Sequence, residues 1–372
     1  MATESAVTHD WPAIEAMLPA DFNELAEEYG VIRPLPAHLN SKIKTASQLL
    51  HLILLYVASD SSLKTATAAA SAGDIVDISH VGLHKRLGKS GFYLASLVGK
   101  MMNLEQSFER TKWAGYEVCL ADATAINGKG GKGTVARVHY GLRLNDLKSM
   151  HVEVSSEKQG ESFYRFAAEA GQLWIGDRGY GHAAAIAHTV AQGADVLVRC
   201  TASSLPLVNG CGERISVIEK VRTLGKAGRP KKWKARLLVD GVPTVAGRLV
   251  AVMLPPAEQD KACVRLAKEH GKANVTPLML EMSRYVVVFT TVPAEKLSAH
   301  EILELYRLRW QIELHIKREK SIGELDRLPN RKPETIYAWL CAKLLLSLIV
   351  QRISAATGLI PPCAISGAEV AA

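Results

Sequence analysis

At Tyr116 the sequence changes texture, and the pattern from there to Arg199 leaves few folds open. Glu117 to Thr124, Val135 to Leu144 and Ser149 to Ser156 read as three successive strands joined by glycine-rich or polar turns. A helix over Glu161 to Ala170, a strand over Leu173 to Gly176, a helix over His182 to Ala191 and a strand over Val196 to Arg199 come next. A meander that passes into strands with crossover helices predicts an α/β fold with a mixed sheet flanked by helices.

On either side of this stretch the pattern differs. Trp11 to about Arg110 is helical, with apolar residues at helical spacing through Ala46 to Ala58 and alanine-rich turns at Leu63 to Ala72. Ser62 to Leu87, broken at Gly73-Asp74, reads equally as a helix-turn-helix and as part of an ordinary helical bundle. From Cys200 to Val292, strand-like runs at Ala235 to Val239, Arg248 to Met253 and Arg284 to Thr290 predict a β-rich insertion. Helical periodicity resumes at Ser298 to Lys320 and Pro333 to Ile353, returning the chain to the α/β domain. The divisions predicted are therefore 1–110 (helical, a candidate for DNA binding), 111–199 (first part of the catalytic domain), 200–292 (β-rich insertion), 293–356 (second part) and 357–372 (short tail).

Composition removes several classes. Hydrophobic residues make up 48% of the 372, enough for a substantial core, and the six cysteines form no CxxC pair, so neither a zinc module nor a disulfide framework is expected. Met1 to Pro12 carries Glu4 and Asp10 and lacks the regions of a secretory signal, which gives a cytoplasmic expectation. The apolar run Ile336 to Val350 is shorter than a membrane span and contains Lys343, so it predicts a buried helix and no membrane role. A net charge of +8 suits a polyanionic partner, whereas 6% aromatic residues give a sugar-cleaving site no support. His139, His151, His182 and His315 share no metal-binding spacing, and no P-loop, Rossmann or GxSxG pattern is present.

The chemistry gathers on three carboxylates. In Tyr306 to Lys320, a helix places Tyr306, Arg309, Glu313 and Lys320 within an arc of roughly 60°, beside an apolar stripe of Leu305, Leu308, Ile312 and Ile316. Asp122 ends the apolar run Val118 to Ala121, with Thr124 on the same face by strand alternation. Asp177 ends Leu173 to Gly176 and is followed by Arg178-Gly179-Tyr180-Gly181, where glycine lets a phosphate backbone approach. Each acidic residue taken alone reads as a cap, turn or surface ion pair; together they offer the oxygen ligands that two hard cations need for phosphodiester chemistry.

The pattern Tyr306-x2-Arg309-x3-Glu313-x6-Lys320 resembles the YREK signature of the insertion-sequence-4 family of DDE transposases. Asp122 in Leu-Ala-Asp-Ala-Thr124 and Asp177 in Gly-Asp-Arg-Gly-Tyr180 resemble its two catalytic aspartates, in the same order. The resemblance covers about Tyr116 to Ile353 and implies a ribonuclease-H-like fold interrupted by a β insertion. It also implies a site of Asp122, Asp177 and Glu313 holding two Mg²⁺ (or Mn²⁺) ions, with Tyr306, Arg309 and Lys320 on phosphates near the cleaved end. The implied partners are double-stranded DNA, as transposon terminal inverted repeats and target, and a second protomer when paired on DNA. The implied activity is cleavage and strand transfer; a nuclease without transfer and a domesticated DNA-binding protein are the alternatives. Relatives with a longer C-terminal extension use it to pair protomers, which leaves the mode of pairing open here.

A second basic element, Gly225 to Arg236, carries Arg229, Lys231, Lys232 and Trp233. Its Gly-Arg-Pro-Lys-Lys resembles a minor-groove AT-hook core without the preceding arginine. Of two readings, a solvated hairpin arm and a phosphate-tracking arm with Trp233 available for base stacking, the second is preferred; Arg178 beside Asp177 is a further DNA-contact candidate.

Overall fold

The computed structural model describes residues 11–32, 42–59, 61–102, 113–128, 133–329 and 332–356. The expected tail at 357–372, with Cys363, and the segment 103–112 that joins the first two predicted divisions lie outside them. The strands are β1 (Glu117–Asn127), β2 (Thr134–Arg143), β3 (Ser149–Ser155), β4 (Gln172–Gly176), β5 (Asp195–Arg199), β6 (Leu207–Val208), β7 (Lys231–Val239), β8 (Val242–Met253) and β9 (Tyr285–Thr290). They hydrogen-bond into one continuous sheet ordered β3-β2-β1-β4-β5-β9-β8-β7-β6. The β1-β2-β3 meander is antiparallel, β4 and β5 run parallel to β1, and β9 then joins β5 antiparallel. The strands after Cys200 thus extend the same sheet.

The helices are α1 (Trp11–Glu15), α2 (Phe22–Glu28), α3 (Ala46–Ala58), α4 (Leu63–Ala72), α5 (His80–Lys89), α6 (Gly91–Met102), α7 (Ala183–Ala191), α8 (Val217–Arg222), α9 (Pro256–His270), α10 (Pro277–Ser283), α11 (Ala299–Leu308), α12 (Trp310–Ser321) and α13 (Pro333–Ala356). Because side chains alternate across a strand, the sheet buries two apolar faces. One face, with Leu120, Ile175, Leu197, Val250 and Val288, shares a core with the N-terminal helices and with α11, α12 and α13. The other, with Cys119, Trp174, Val196, Val198 and Phe289, is covered by α7 and α8. Helix α13 is long and apolar enough to cross a membrane by length and composition, yet 61% of its apolar window is buried, against α3, α5 and α6. Lys343 is buried in it, its ammonium 5.2 Å from the Trp339 ring.

Four local expectations need correction. Glu161 to Ala170 is not a helix: only a single 3₁₀ turn forms at Phe163–Arg165, capped by Ser162. Phe163 and Phe166 mimic helical spacing, but their rings pack on Tyr180 (5.0 Å) and Trp174 (4.6 Å), which fixes them as anchors of an irregular loop. Ser298 to Lys320 is two helices, tightened at Arg309, whose N–H donates to Tyr306 three residues back. Helix α9 arises in the stretch read as β-rich; it buries no residue, and proline at its first turn starts it. The loop from Gly73 to Ser79 is longer than the three or four residues of a helix-turn-helix turn, and α4 and α5 pack within the helical core.

Candidate active site

Strand pairing puts the two aspartates side by side. Parallel β1 and β4 pair Leu120 with Ile175, and Asp122 and Asp177 each stand two positions further on, so both point to the face of Leu120 and Ile175. Asp122 is not at the end of β1 but midway along it, opposite Tyr140 of β2, at the point where pairing to β4 has ceased. Its Oδ1 accepts the Ala123 N–H at 2.8 Å, and Asp177 Oδ1 accepts the Gly179 N–H at 2.7 Å, capping the turn Arg178–Tyr180. Thr124, on the same face as Asp122, is buried.

Helices α11 and α12 bring the third carboxylate over this edge. The apolar stripe Leu305, Ile312 and Ile316 is buried against the sheet, and α12 packs on β1. Arg309, at the junction of the two helices, reaches Asp122 Oδ2 with Nη1 at 3.5 Å and donates through Nη2 to Glu313 Oε1. One guanidinium therefore joins the strand carboxylate to the helix carboxylate. Burial pushes the Asp122 carboxyl up to about 7, against the opposing pull of Arg309 and with the added repulsion of Asp177 and Glu161. Burial works against the charge of Arg309 too, but the surrounding Tyr306, Glu313, Asp122 and Asp177 hold its pKa above the usual range. Glu313 remains half exposed at 53%, where Asp122 and Arg309 are each at 15%.

These carboxylates have the oxygen-only donor chemistry that Mg²⁺ and Mn²⁺ prefer. Among the described residues, no three His, Cys, Asp or Glu side chains yet stand close enough to share one ion. Arg309 supplies the physical reason, since its guanidinium occupies the space between Asp122 and Glu313.

A fourth carboxylate was missed in the sequence. Glu161, on the irregular loop before β4, places Oε2 where a Cβ on Gly179 would stand, and Asp177 Oδ1 lies 3.0 Å from that point. Glycine leaves that space to the Glu161 carboxylate, which would have to shift to admit a side chain. Arg165 fixes the loop, donating to the Gly160 carbonyl at 3.2 Å, to Gln159 at 2.9 Å and to Glu153 at 2.8 Å. The burial of Glu161 and its nearness to Asp177 raise its pKa. The only hint in the sequence was the glycine two residues after Asp177.

Not all the other predicted residues converge. Tyr306 and Arg309 line a cleft of about 610 Å³ with Asp177, Arg178 and Glu313; its opposite wall is α9 and α10. Tyr306 is buried, its hydroxyl has no hydrogen-bond partner among the described residues, and its ring centroid is 6.0 Å from the Arg309 guanidinium. Arg178 pairs with Glu269 of α9 at 3.7 Å. Lys320 faces away, into a separate cleft of about 710 Å³ bordered by Ser61, Ser62 and Asn127, and donates to the Ala125 carbonyl at 3.0 Å.

The basic element is not a protruding arm. Lys231, Lys232 and Trp233 belong to β7, with Arg229 exposed in the loop before it. Lys231 donates to the Thr223 carbonyl, and Trp233 packs partly buried against the second core, so it is not free to stack on bases. Lys232 is exposed and on the face of Asp122 and Asp177: it pairs with Val250, which pairs with Val288, which pairs with Arg199 of β5.

Comparison with known proteins bears on this geometry. Residues 113–349 match the family model described as "Transposase DDE domain". The chain is 31% identical over 357 residues to "Transposase for insertion sequence element IS421" of Escherichia coli, covering 93% of this chain and 94% of that protein. It is also 31% identical over 356 residues, with the same coverage, to the InsL protein of insertion sequence element IS186A of Escherichia coli (strain K12). Among solved structures it is similar to the piggyBac transposase synaptic complex with hairpin DNA, at 6% identity and a TM-score of 0.44, covering 93% of this chain and 74% of that one.

Proposed function

Because the chain belongs to the transposase DDE domain family, and is a DNA transposase acting as a polynucleotidyl transferase and endonuclease, we propose that Asp122, Asp177 and Glu313 are its metal-binding catalytic carboxylates. The observation that carries this reading is the register of β1 and β4, which sets Asp122 beside Asp177, together with the single guanidinium that ties Asp122 to Glu313. The finer identity follows the YREK pattern: a member of the insertion-sequence-4 group with a ribonuclease-H-like sheet, supported by the 3-2-1-4-5 order of the first five strands.

Two Mg²⁺ or Mn²⁺ ions bound by these carboxylates would activate a water or 3′-hydroxyl and stabilise the leaving oxygen. The protein's own part is to assemble and neutralise the carboxylates. Arg309 holds Asp122 and Glu313 in their places, and its forked guanidinium is a donor that would suit a DNA phosphate beside them. Tyr306 props the Arg309 guanidinium from below, and Arg178 reaches the phosphate backbone at the mouth of the same cleft. Lys320 contacts DNA from the neighbouring cleft, Lys232 extends the contact along the face of the sheet, and Arg229 adds to it from the loop before β7. The DNA is the pair of transposon terminal inverted repeats and the target, bound by two protomers, in the bacterial cytoplasm on the nucleoid.

Calorimetric titration of Mn²⁺ into the wild type and into Asp177→Asn tests the assignment. Loss of binding in the variant is required; unchanged affinity and stoichiometry would sink it. Product analysis on DNA bearing the element's own ends separates joined from merely hydrolysed 3′ ends, and thus transposition from simple nuclease action.

A further inference from the structure

The cleft that holds Asp177 and Glu313 is also lined by positive charge that the catalytic residues do not use. Of the cations lining it, Arg178 is paired with Glu269 and Arg309 with Asp122 and Glu313. Arg199 and Arg265 line the same cleft, and neither makes a hydrogen bond or ion pair through its side chain with a described residue.

Their placement follows from the topology. Parallel β4 and β5 pair Gly176 with Val198, so Arg199 is the next residue along β5 as Asp177 is along β4, one strand spacing away, or about 4.8 Å. Arg199 is on the face of Leu197, which is the face of Asp122 and Asp177. Arg265 comes from α9, where it is exposed and lines the same cleft. Two unpaired guanidiniums thus face one cleft from its two sides, next to the carboxylates.

We propose that Arg199 and Arg265 form a phosphate clamp for a single DNA strand leading away from the metal-binding carboxylates, a proposal that rests on the site reading above. The ligand class follows from size and lining. A cleft of about 610 Å³ is the size of a small-molecule site and admits one or two nucleotides of one strand, not a duplex. Leu266, Met282 and Tyr285 complete its wall, and cations interleaved with apolar and aromatic surface suit unpaired nucleotides better than a bare anion.

The test uses the full-length protein and a fluorescent mixed-sequence single strand of twelve nucleotides, with its duplex as the comparison, titrated by anisotropy at several salt concentrations. Arg199→Ala with Arg265→Ala is expected to weaken single-strand binding roughly tenfold or more, and to reduce the log-log salt slope by about 0.7 per lost contact, so about 1.4 in all. Duplex binding falls less, and Arg199→Lys recovers much of the single-strand affinity. A merely structural role would lower the melting temperature without moving the salt slope. Arg265→Ala alone, on an exposed helix, keeps the test valid if the double variant folds poorly. Unchanged single-strand affinity and slope overturn the clamp, and so does a loss confined to duplex. Mn²⁺ titration of Asp177→Asn, run alongside, separates the two ideas: if Asp177→Asn loses metal while the arginine variants bind as wild type, only the clamp fails.

Discussion

The middle of the sheet and its β7 side present opposite chemistry on one face. On β1 and after β4, Asp122 and Asp177 stand side by side, each held by a backbone N–H; near the start of β7, Lys232 and Lys234 are exposed, Lys232 three strand steps or about 14 Å from Arg199. The contrast teaches that position is specified where chemistry demands it and charge alone suffices elsewhere. A carboxylate misplaced by 1 Å no longer shares a metal, whereas a lysine on a flexible stem finds a phosphate over several ångströms. Variants in the middle of the sheet should therefore change rate by orders of magnitude, and those on β7 should change affinity by small factors.

The largest effect is expected from the carboxylates. Asp122→Asn, Asp177→Asn and Glu313→Gln should each lower DNA cleavage by on the order of 10³-fold or more while duplex affinity stays near wild type or rises, since a negative charge is removed and no phosphate contact is lost. Gel-shift titration beside a cleavage assay reads both quantities. Cleavage retained by Glu313→Gln would return that residue to a surface ion pair with Arg309.

Next in size is Gly179→Ala. A methyl group there would collide with Glu161 Oε2 and come within 3.0 Å of Asp177 Oδ1, so one carboxylate must move. Displacing a group that sets a metal ligand typically costs 10- to 100-fold in metal affinity, and a loss of roughly tenfold in Mn²⁺ binding is expected with little change in melting temperature. Unaltered Mn²⁺ affinity would show that the cradle does not matter to the ligands.

The acidic middle of the sheet should also respond to pH in a way that basic β7 does not. Burial raises the Asp122 carboxyl to about 7, opposed by Arg309. The folded protein therefore holds a proton that the unfolded chain has already released between the ordinary carboxylate range and pH 7. Stability from this group is present at low pH and is lost as pH rises through that window. Metal must displace the same proton, so Mn²⁺ affinity should fall by up to about tenfold per unit below pH 7 and level off above it. Arg309→Ala should move the midpoint upward, because the opposing cation is gone. Calorimetry at pH 6, 7 and 8 decides it, and a flat profile would mean that Asp122 is ionised throughout.

Much of this was legible in the sequence, for physical reasons that also explain the gaps. Strands β1, β4 and β9 announced themselves as apolar runs bounded by turn residues, and Asp122 and Asp177 stood out because acids rarely interrupt such runs. Helical spacing puts Glu313 on one stripe with Arg309, and the two are in contact. What stayed hidden depended on contacts remote in sequence: Glu161 meets Gly179 only after the loop is fixed by Phe163, Phe166 and Arg165, and Arg199 meets Arg265 only when α9 folds back. Helix α9 was missed because it buries nothing and so leaves little apolar period to read. Trp233 was misjudged because strand alternation, which turns it inward against the second core, depends on where β7 begins.

The smallest effect separates the two regions most cleanly. Lys232 and Lys234 are exposed on β7 and alternate onto one face, the face that carries Arg199 and the aspartates; Lys231 is a poorer probe because its ammonium is already bonded to the Thr223 carbonyl. Lys232→Ala with Lys234→Ala should weaken duplex binding by several-fold at moderate salt and reduce the log-log slope by about 0.9 per contact, or about 1.8 for both. At saturating DNA the cleavage rate should match wild type, because a phosphate contact made equally in the ground and transition states changes binding without changing turnover. A rate that stays depressed at saturation would break the division, since it would mean that the outer strands help set the geometry at Asp177. Unchanged affinity and slope would leave β7 a solvated edge, with the DNA footprint confined to the cleft and its immediate rim.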